Sequence, residues 1–349
     1  MKKQPDEPLI VVQVLHVLTL VLLAVTLLIV ALTACFLFGG FIQNQAVLSS
    51  TATSLPVAST KLRWTAPDSS ELENLPNAAL IKYGRDLIRN TSYYFGPKGK
   101  IASISNGMNC QNCHLNAGTK YFGNNYSAVA ANYPKFRERS GVVEGIFARI
   151  QDCFERSLNG KMPDTSTREI EAIKAYILWL GKDVPSKTKP DGAGLKELAY
   201  LARAADPMRG KKVFITQCGR CHGNDGEGKL RGDKISYEYP PLWGMHSYNT
   251  GAGLFRLSRF ASYVKYNMPF GVNDDAPQLS DEQAWDIAAF VNSNKRPHKT
   301  FKQDWPVIAG KPIDHPFGPY ADPFTERQHK YGPFPPIDEY RNRSLVAVK

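Results

Sequence analysis

Two five-residue stretches decide the fold: CQNCH at residues 110–114 and CGRCH at residues 218–222. Both have the CxxCH spacing of haem attachment in c-type cytochromes, in which two thiols add to the haem vinyl groups and the adjacent histidine becomes the proximal iron ligand. A redox-active or zinc-binding CxxC would leave the histidine unexplained twice. The sequence therefore predicts two covalently bound haem c groups, attached through Cys110, Cys113 and His114 and through Cys218, Cys221 and His222.

The sequence around the two motifs follows one plan that occurs twice. Each half has a helical pattern, the CxxCH motif, a long excursion, a Met-Pro pair and a last helix. In the second half, Asp206-Pro207 and the pair of Ser280 with Gln283 form N-terminal helix caps. We therefore expect an all-α fold with two tandem cytochrome c-like domains, an N-terminal transmembrane helix and an irregular C-terminal tail. Apolar periodicity predicts helices in the first half over residues 78–90, 141–158 and 167–180.

The chain has 349 residues, which is enough for two domains of ordinary size and additional segments. Pro- and Ser-rich or charged stretches separate these domains and are typical of linkers. The predicted order is a cytoplasmic N-terminus (1–8), a transmembrane anchor (9–42), a linker (43–76), an N-terminal cytochrome c domain (77–185), a second linker (186–205), a C-terminal cytochrome c domain (206–296) and a wrapping tail (297–349).

The N-terminal region contains no charged residue between Leu9 and Ile42. About 20 apolar residues span a bilayer, and the apolar core of a cleaved signal is shorter, roughly 7–15 residues, so an uncleaved single-pass anchor is favoured. The alternative is a lipoprotein signal, because LTAC at residues 32–35 has the form of a lipid-modification box. Against it, residues 36–38 continue the apolar run. Both interpretations tether the remainder to the cytoplasmic membrane on the periplasmic side, where haem is attached to apocytochromes c.

The chain is basic, with a formal net charge of +11 and a pI near 9.2. Such a surface attracts anions, which include acidic lipids, acidic redox partners, nucleic acids and small anionic substrates. No nucleic-acid recognition motif is visible, and we do not expect nucleic-acid binding.

Met268 is the candidate distal ligand of the second haem. It follows His222 by 46 residues and precedes the last helix, where a cytochrome c presents its distal methionine. A thioether ligand raises the reduction potential and suits electron transfer. A methionine of the core is the alternative, although Pro269 and Gly271 place Met268 in a loop. His246 is a further candidate ligand.

The first haem has two candidate distal ligands, Met162 and Cys153. Met162 lies 48 residues after His114, in the place equivalent to Met268, and would make both domains ordinary electron carriers. Cys153 is the only thiol of the exported part that the two CxxCH motifs do not use. A cysteine without a disulfide partner in an oxidising compartment needs an explanation. The functional interpretation is thiolate ligation, which lowers the potential of this haem and leaves a nucleophilic sulfur at the iron. The alternative is an inert buried cysteine.

The helix predicted around Cys153 carries two arginines. Arg149, Cys153, Arg156 and Gly160 have the spacing of one helical face. Two guanidinium groups beside the thiol would favour the thiolate and can bind an oxyanion through forked hydrogen bonds. A solvated basic helix face is the alternative.

At these residues the chain resembles the thiosulfate dehydrogenase family, dihaem cytochromes c that join two thiosulfates into tetrathionate. The resemblance covers nearly everything after the first linker, and its specific part is CFERSLNG at residues 153–160. The other similar stretches are residues 106–119, 133–134, 137–141, 318–322 and 328–334.

The resemblance implies that Cys153 is both the distal ligand of an active-site haem and its reactive sulfur. It also implies that Arg139 and Arg149 bind substrate, while the second domain carries an electron-transfer haem. Some relatives have lysine just before the second-haem methionine, but this chain has Asn267. Met268 is therefore expected to remain the ligand in both redox states.

The resulting expectation is an oxidoreductase of the thiosulfate dehydrogenase or tetrathionate reductase type. The expected catalytic residues are Cys153, Arg139, Arg149 and Arg156, and the iron ligands are His114, Cys153, His222 and Met268. Its partners would be thiosulfate and tetrathionate, the membrane, and a redox partner such as another cytochrome or a terminal oxidase. The sequence does not set the physiological direction. The alternative function is a membrane-tethered dihaem electron-transfer subunit without a sulfur substrate.

Overall fold

The computed structural model describes residues 7–42 and 63–347 of the chain. The protein divides into two compact units, Met1–Thr60 and Lys61–Lys349. In the first unit, helix α1 (Glu7–Ile42) contains the segment Leu15–Ala34, which is long and apolar enough to cross a membrane. Residues 43–62 of the predicted linker lie outside the described residues.

Helices are the main regular structure of the second unit. Its α-helices are α2 (Ala78–Arg89), α3 (Thr91–Phe95), α4 (Leu115–Gly118), α5 (Val129–Asn132), α6 (Ile146–Asp152), α7 (Arg168–Leu180), α8 (Pro207–Gln217), α9 (Gly219–His222), α10 (Leu257–Asn267), α11 (Asp281–Ser293), α12 (Glu326–Tyr331) and α13 (Pro335–Ala347). A π-helical turn spans Cys153–Ser157, and 3₁₀ turns span Ser69–Asn74, Cys110–Asn112, Gly253–Phe255 and Ile308–Gly310. Two antiparallel hairpins pair β1 (Lys135–Arg137) with β2 (Val142–Glu144) and β3 (Lys229–Leu230) with β4 (Tyr237–Tyr239).

Each half is built on one pair of closely packed helices. Helix α2 packs on α7 in the first half, and α8 packs on α11 in the second. Glycine permits the close contact in both pairs. A Cβ on Gly84 would lie 1.9 Å from the carbonyl oxygen of Ala172, and a Cβ on Gly210 would lie 1.8 Å from that of Asp286. The two halves therefore share the same core arrangement, as the repeated sequence plan predicts.

The two predicted helix caps are present. The Asp206 side chain accepts hydrogen bonds from the backbone N–H groups of Met208 and Arg209, and Pro207 is the first residue of α8. At the start of α11, the Ser280 side chain accepts from the backbone of Gln283, and the Gln283 side chain accepts from the backbone of Ser280.

The helix predicted over residues 141–158 begins later than expected. Gly141 has φ +71° and closes a turn by donating its N–H to the carbonyl of Arg137. Val142 and Val143 are β-branched and pair with β1 instead. Helix α6 therefore starts at Ile146, and the residues before it form a hairpin.

The C-terminal tail contacts both halves. It includes helices α12 and α13, which the sequence analysis did not predict. Phe334 and Ile337 are fully buried in the common core, and the N–H of Ala205 donates to the carbonyl of Tyr331 at 2.8 Å. Apart from the 3₁₀ turn at Ile308–Gly310, the remainder of the described tail has no regular structure, as predicted.

Side chains of the second half also bond to the backbone of the first. The Asn249 amide donates to the carbonyl of Glu155 at 2.8 Å, and its backbone N–H donates to the carbonyl of Arg156 at 3.1 Å. The Tyr263 hydroxyl donates to the carbonyl of Asn112, within the first CxxCH motif, at 2.8 Å. These bonds fix the first motif and the segment of Cys153 against the second domain.

Replacing either helix-pair glycine by alanine should destabilise the fold. Gly84→Ala and Gly210→Ala should each lower the free energy of unfolding by about 1–3 kcal/mol, because a methyl group has no room between the two backbones. Thermal unfolding followed by circular dichroism measures the effect. Gly232→Ala is the matched control, since a Cβ at Gly232 meets nothing within 4 Å. Unchanged melting temperatures for Gly84→Ala and Gly210→Ala would contradict the close contact between the paired helices.

Candidate functional site

A cavity of about 260 Å³ connects the first CxxCH motif with Cys153. Cys113, His114 and Cys153 line it, together with Arg139 and Arg149, so the structure brings most of the predicted set together. Three further arginines line the same cavity and were not among the predicted site residues: Arg137, Arg256 and Arg259.

A π-helical turn presents Cys153 to this cavity. The Leu158 N–H donates to the carbonyl of Cys153 at 3.0 Å, five residues back, so this turn holds one residue more than an α-helical turn. A Cβ on Gly160, three residues after this turn, would lie 1.8 Å from the carbonyl oxygen of Ile104, so glycine is required at that position. The prediction of one α-helical face assumed 3.6 residues per turn, which does not hold after Cys153.

Arg156 does not line the cavity, so the structure does not bring it together with the other predicted catalytic residues. The wider turn carries it to another side, where its Nε donates to Asp152 at 2.9 Å. Its two terminal nitrogens donate to both carboxylate oxygens of Asp304 at 2.7 and 2.8 Å, and the guanidinium lies 3.6 Å from the ring centre of Phe301. With its donors used in this way, Arg156 joins the helix to the tail.

The histidines of both CxxCH motifs are oriented as haem ligands require. Nδ1 of His114 bonds to the carbonyl of Asn124 at 2.5 Å, and Nδ1 of His222 bonds to that of Pro240 at 2.9 Å. A carbonyl only accepts, so Nδ1 carries the proton and Nε2 keeps its lone pair for iron. Burial lowers the pKa of His114 to about 4 and lowers that of His222, which keeps both rings neutral. The donor set therefore fits c-type haem.

A second cavity, of about 320 Å³, lies at the other CxxCH motif. Cys218, Cys221, His222 and Met268 line it, so the predicted ligand pair shares one cavity. Most other lining side chains are apolar, including Phe214, Leu242, Phe260, Ile287 and Val291.

The two alternative ligands lie elsewhere. Met162 lines neither cavity and is 53% exposed. His246 is also exposed and outside both cavities.

The two cavities share a wall. Cys113, Tyr248 and Leu254 line both of them. Other residues of the first motif, Gln111 and Asn112, also line the second cavity. The two haem-attachment motifs are therefore neighbours in space although they are more than 100 residues apart in sequence.

The arginines of the first cavity differ in their partners. Arg137 lies 3.8 Å from Glu144, and Arg149 lies 3.7 Å from Asp152. Arg139 has no such carboxylate in the described structure and donates to the carbonyl of Gly251 at 3.2 Å. Burial, followed by the nearby guanidiniums of Arg156 and Arg149, lowers the pKa of Arg139 to about 10.

Asp314, in the tail, holds Arg256 at the cavity. Its Oδ1 accepts from Nε of Arg256 at 2.8 Å and lies 2.6 Å from Nη2, and its Oδ2 accepts from the backbone N–H of Ser258 at 3.0 Å. Burial opposes ionisation of this carboxyl, but Arg256 and Ser258 outweigh it and hold the pKa of Asp314 below its usual value.

The fold and these sites define a c-type cytochrome, with residues for haem binding in each half. Family models agree: "Cytochrome c" matches residues 207–295, and "SoxA/TsdA, cytochrome c domain" matches residues 100–185. The predicted fold class, with its two tandem cytochrome c domains, is confirmed.

Known relatives identify the family within the c-type cytochromes. The chain is 35% identical to a thiosulfate dehydrogenase of Psychrobacter arcticus over 262 residues, which cover 74% of this chain and 76% of that protein. It is 36% identical to the thiosulfate dehydrogenase of Allochromatium vinosum over 228 residues, which cover 64% and 82%. The chain belongs to the thiosulfate dehydrogenase family and is an oxidoreductase, which confirms the resemblance read from residues 153–160.

A solved structure is also similar. It is thiosulfate dehydrogenase (TsdBA) from Marichromatium purpuratum in the "as isolated" form, with a TM-score of 0.61 and 32% identity. The match covers 68% of this chain and 50% of that chain, so the present chain spans only half of the solved one.

Replacing the carboxylate of Asp314, in the tail, should lower the stability of the fold in a pH-dependent way. Asp314→Asn should lower the free energy of unfolding by about 2 kcal/mol at pH 7, because Arg256 loses its charged partner. The pKa of Asp314 is lower in the folded than in the unfolded protein, where it is about 4. The stability that its ionised carboxylate contributes is therefore complete above about pH 4 and is lost as pH falls through the folded pKa.

Denaturant unfolding of parent and variant across pH tests this expectation. The difference between them should shrink as the solution becomes more acidic than pH 4. Asp225→Asn, which removes an exposed carboxylate, is the control. A difference that stays constant from pH 7 to pH 3 would contradict the ion pair.

Proposed function

We propose that this chain oxidises thiosulfate at Cys153, joins two thiosulfates into tetrathionate and passes the electrons through two c-type haems to an external acceptor. The observation that carries the proposal is that Cys153 lines one cavity with His114 and with several guanidinium groups. The substrate class comes from the relatives, which are named thiosulfate dehydrogenase. Thiosulfate is a dianion, and the arginine-lined cavity suits it.

In this proposal Cys110, Cys113 and His114 would hold the first haem, and Cys153 would supply its second iron ligand. Cys218, Cys221 and His222 would hold the second haem, and Met268 would supply its second iron ligand. When bound, each haem supplies a one-electron acceptor, and two of them match the two electrons of one turnover.

In the first step, Arg139 and Arg149 hold thiosulfate with its sulfane sulfur against Cys153. A sulfur–sulfur bond forms between the Cys153 thiolate and that sulfane sulfur, and two electrons leave: Cys–S⁻ + S₂O₃²⁻ → Cys–S–S₂O₃⁻ + 2e⁻. No proton is transferred. The negative charge of Cys153 raises the pKa of Arg149 above its usual value, so this guanidinium stays charged beside the thiolate.

In the second step, another thiosulfate attacks the sulfane sulfur of the adduct. The new sulfur–sulfur bond completes tetrathionate, and the bond to Cys153 breaks: Cys–S–S₂O₃⁻ + S₂O₃²⁻ → Cys–S⁻ + S₄O₆²⁻. This step consumes no electrons, and the thiolate is regenerated. The same steps in reverse convert tetrathionate into two thiosulfates, so the haem potentials and the redox partner set the direction.

We also propose that α1 tethers the protein to the cytoplasmic membrane with its haem domains on the periplasmic side. The length and apolar composition of Leu15–Ala34 support this, and α1 continues as a helix beyond Cys35 to Ile42. The redox partner, another cytochrome or a terminal oxidase, would meet the second cavity. Phe270, which lines that cavity, is 85% exposed.

Removing the thiol tests the proposal directly. Cys153→Gly should lower thiosulfate-dependent reduction of an artificial acceptor by roughly a thousandfold or more, because no nucleophile remains to carry the adduct. The oxidised variant should also lose the EPR signature of thiolate ligation. Haem content should stay at two per chain, which controls for failed maturation. Full activity with intact haems would refute the role of Cys153.

The rival function, a pure electron carrier with Met162 as a haem ligand, makes a different prediction. Under our assignment Met162→Leu leaves the visible spectra and potentials of both haems unchanged, because its side chain lies outside both cavities. Met268→Leu should lower the potential of one haem and remove its methionine-ligand signature. A spectral change in Met162→Leu, with no thiosulfate activity in the parent, would support the carrier instead.

A further inference from the structure

Arg259 stands out among the arginines of the first cavity. It lies on α10, in the second domain, and faces the same cavity as Cys153 of the first domain. Within residues 7–42 and 63–347, its guanidinium has no hydrogen-bond or ion-pair partner. By contrast, a carboxylate lies within 4 Å of each of Arg137, Arg149 and Arg256.

The surroundings of Arg259 make this lack of a partner costly. Burial, and then the neighbouring cation of Arg256, lower the pKa of Arg259, although Asp314 and Glu197 act in the opposite sense. A partly buried guanidinium beside another cation is poorly compensated by the chain itself. Such groups cluster at functional sites, where a ligand supplies the missing charge. The position of Arg259 thus calls for an anion in the cavity.

The two proposed steps require two different anions at Cys153. The first thiosulfate becomes the adduct, and its sulfonate end stays with Arg139 and Arg149 on the first-domain wall. The second thiosulfate has to approach the adduct with its own sulfonate held elsewhere, since the incoming dianion and the anionic adduct repel each other. Two arginines of this cavity lack a carboxylate partner, Arg139 and Arg259, and they come from different domains.

We propose that Arg259 anchors the sulfonate of the second thiosulfate, the one that discharges the adduct on Cys153. The same subsite holds the distal half of tetrathionate when the reaction runs in reverse. The inference rests on the proposed function of Cys153. It assigns the second-domain wall to a subsite of the reaction, so that the active site is complete only where the two domains meet.

The discharge step can be studied without electron transfer. Tetrathionate loads the parent holoprotein when the Cys153 thiolate attacks an inner sulfur: Cys–S⁻ + S₄O₆²⁻ → Cys–S–S₂O₃⁻ + S₂O₃²⁻. After removal of excess reagent, added thiosulfate discharges the adduct. Intact-mass spectrometry with peptide mapping follows both reactions on Cys153.

Arg259→Gln should slow both loading and discharge by about 10–100-fold, the loss expected when charged hydrogen bonds to one anion disappear. Oxidative adduct formation from a single thiosulfate, by the fully oxidised protein, should remain within a few-fold of the parent. Arg259→Lys should recover part of the lost rate. Arg327→Gln removes an exposed arginine of α12 and should behave as the parent.

Three outcomes would overturn the proposal. Parent-like loading and discharge in Arg259→Gln would show that no second anion depends on this residue. An altered haem spectrum, haem content or reduction potential in that variant would assign Arg259 to the haem propionates. If the parent itself forms no adduct on Cys153 while thiosulfate is oxidised, the proposed chemistry of Cys153 fails, and this inference fails with it.

Discussion

Six guanidinium groups lie in or directly beside the cavity at Cys153, and their mutual repulsion has to be balanced before this part of the chain can fold. Glu144, Asp304 and Asp314 each approach one of them within 4 Å, and Asp152 approaches two. These carboxylates come from the β1–β2 hairpin, from helix α6 and from the tail, so segments far apart in sequence contribute to one wall of the cavity. What remains uncompensated is the positive charge that a dianionic substrate would neutralise. The excess of guanidiniums over carboxylates therefore makes the cavity attractive to anions.

The same balance explains why the C-terminal tail belongs to the site. Asp304 bonds Arg156 through both carboxylate oxygens, and Asp314 bonds Arg256. Between them, the N–H of Trp305 donates to the carbonyl of Arg139 at 2.6 Å, and the Trp305 ring centre lies 5.6 Å from its guanidinium. None of these tail residues lines the cavity, yet each fixes an arginine of its wall or of the layer behind it. A segment that looks like a surface wrapping in the sequence thus determines the orientation of the binding groups.

Local patterns predicted much of this structure, and long-range contacts account for what they missed. The caps at Asp206 and Ser280 and the apolar periodicity of α2 and α7 depend on neighbours in sequence, and these caps and helices are present as predicted. The single helical face expected for Cys153 and Arg156 is absent because α-helical spacing fails in the π turn after Cys153, which its hydrogen bonds reveal. Arg259 was missed because it lies more than 100 residues from Cys153 and meets it through the packing of two domains. No periodicity within one segment carries that information.

The two cavities divide the proposed reaction between a charged compartment and an apolar one. The first contains the guanidiniums and Cys153, whereas mostly apolar side chains surround Met268 in the second. The proposed ligands reinforce this division, because a thiolate lowers a haem potential and a thioether raises it. Electrons released beside Cys153 would therefore move toward Met268 with a favourable driving force. Because Cys113, Tyr248 and Leu254 line both cavities, electrons would travel only a short way between the two haem sites. The dianions would stay with the arginines of the first cavity. Electrons can therefore pass from the first cavity to the second. A charged sulfur compound would lose its guanidinium counter-charges in the second cavity, so the substrate stays in the first.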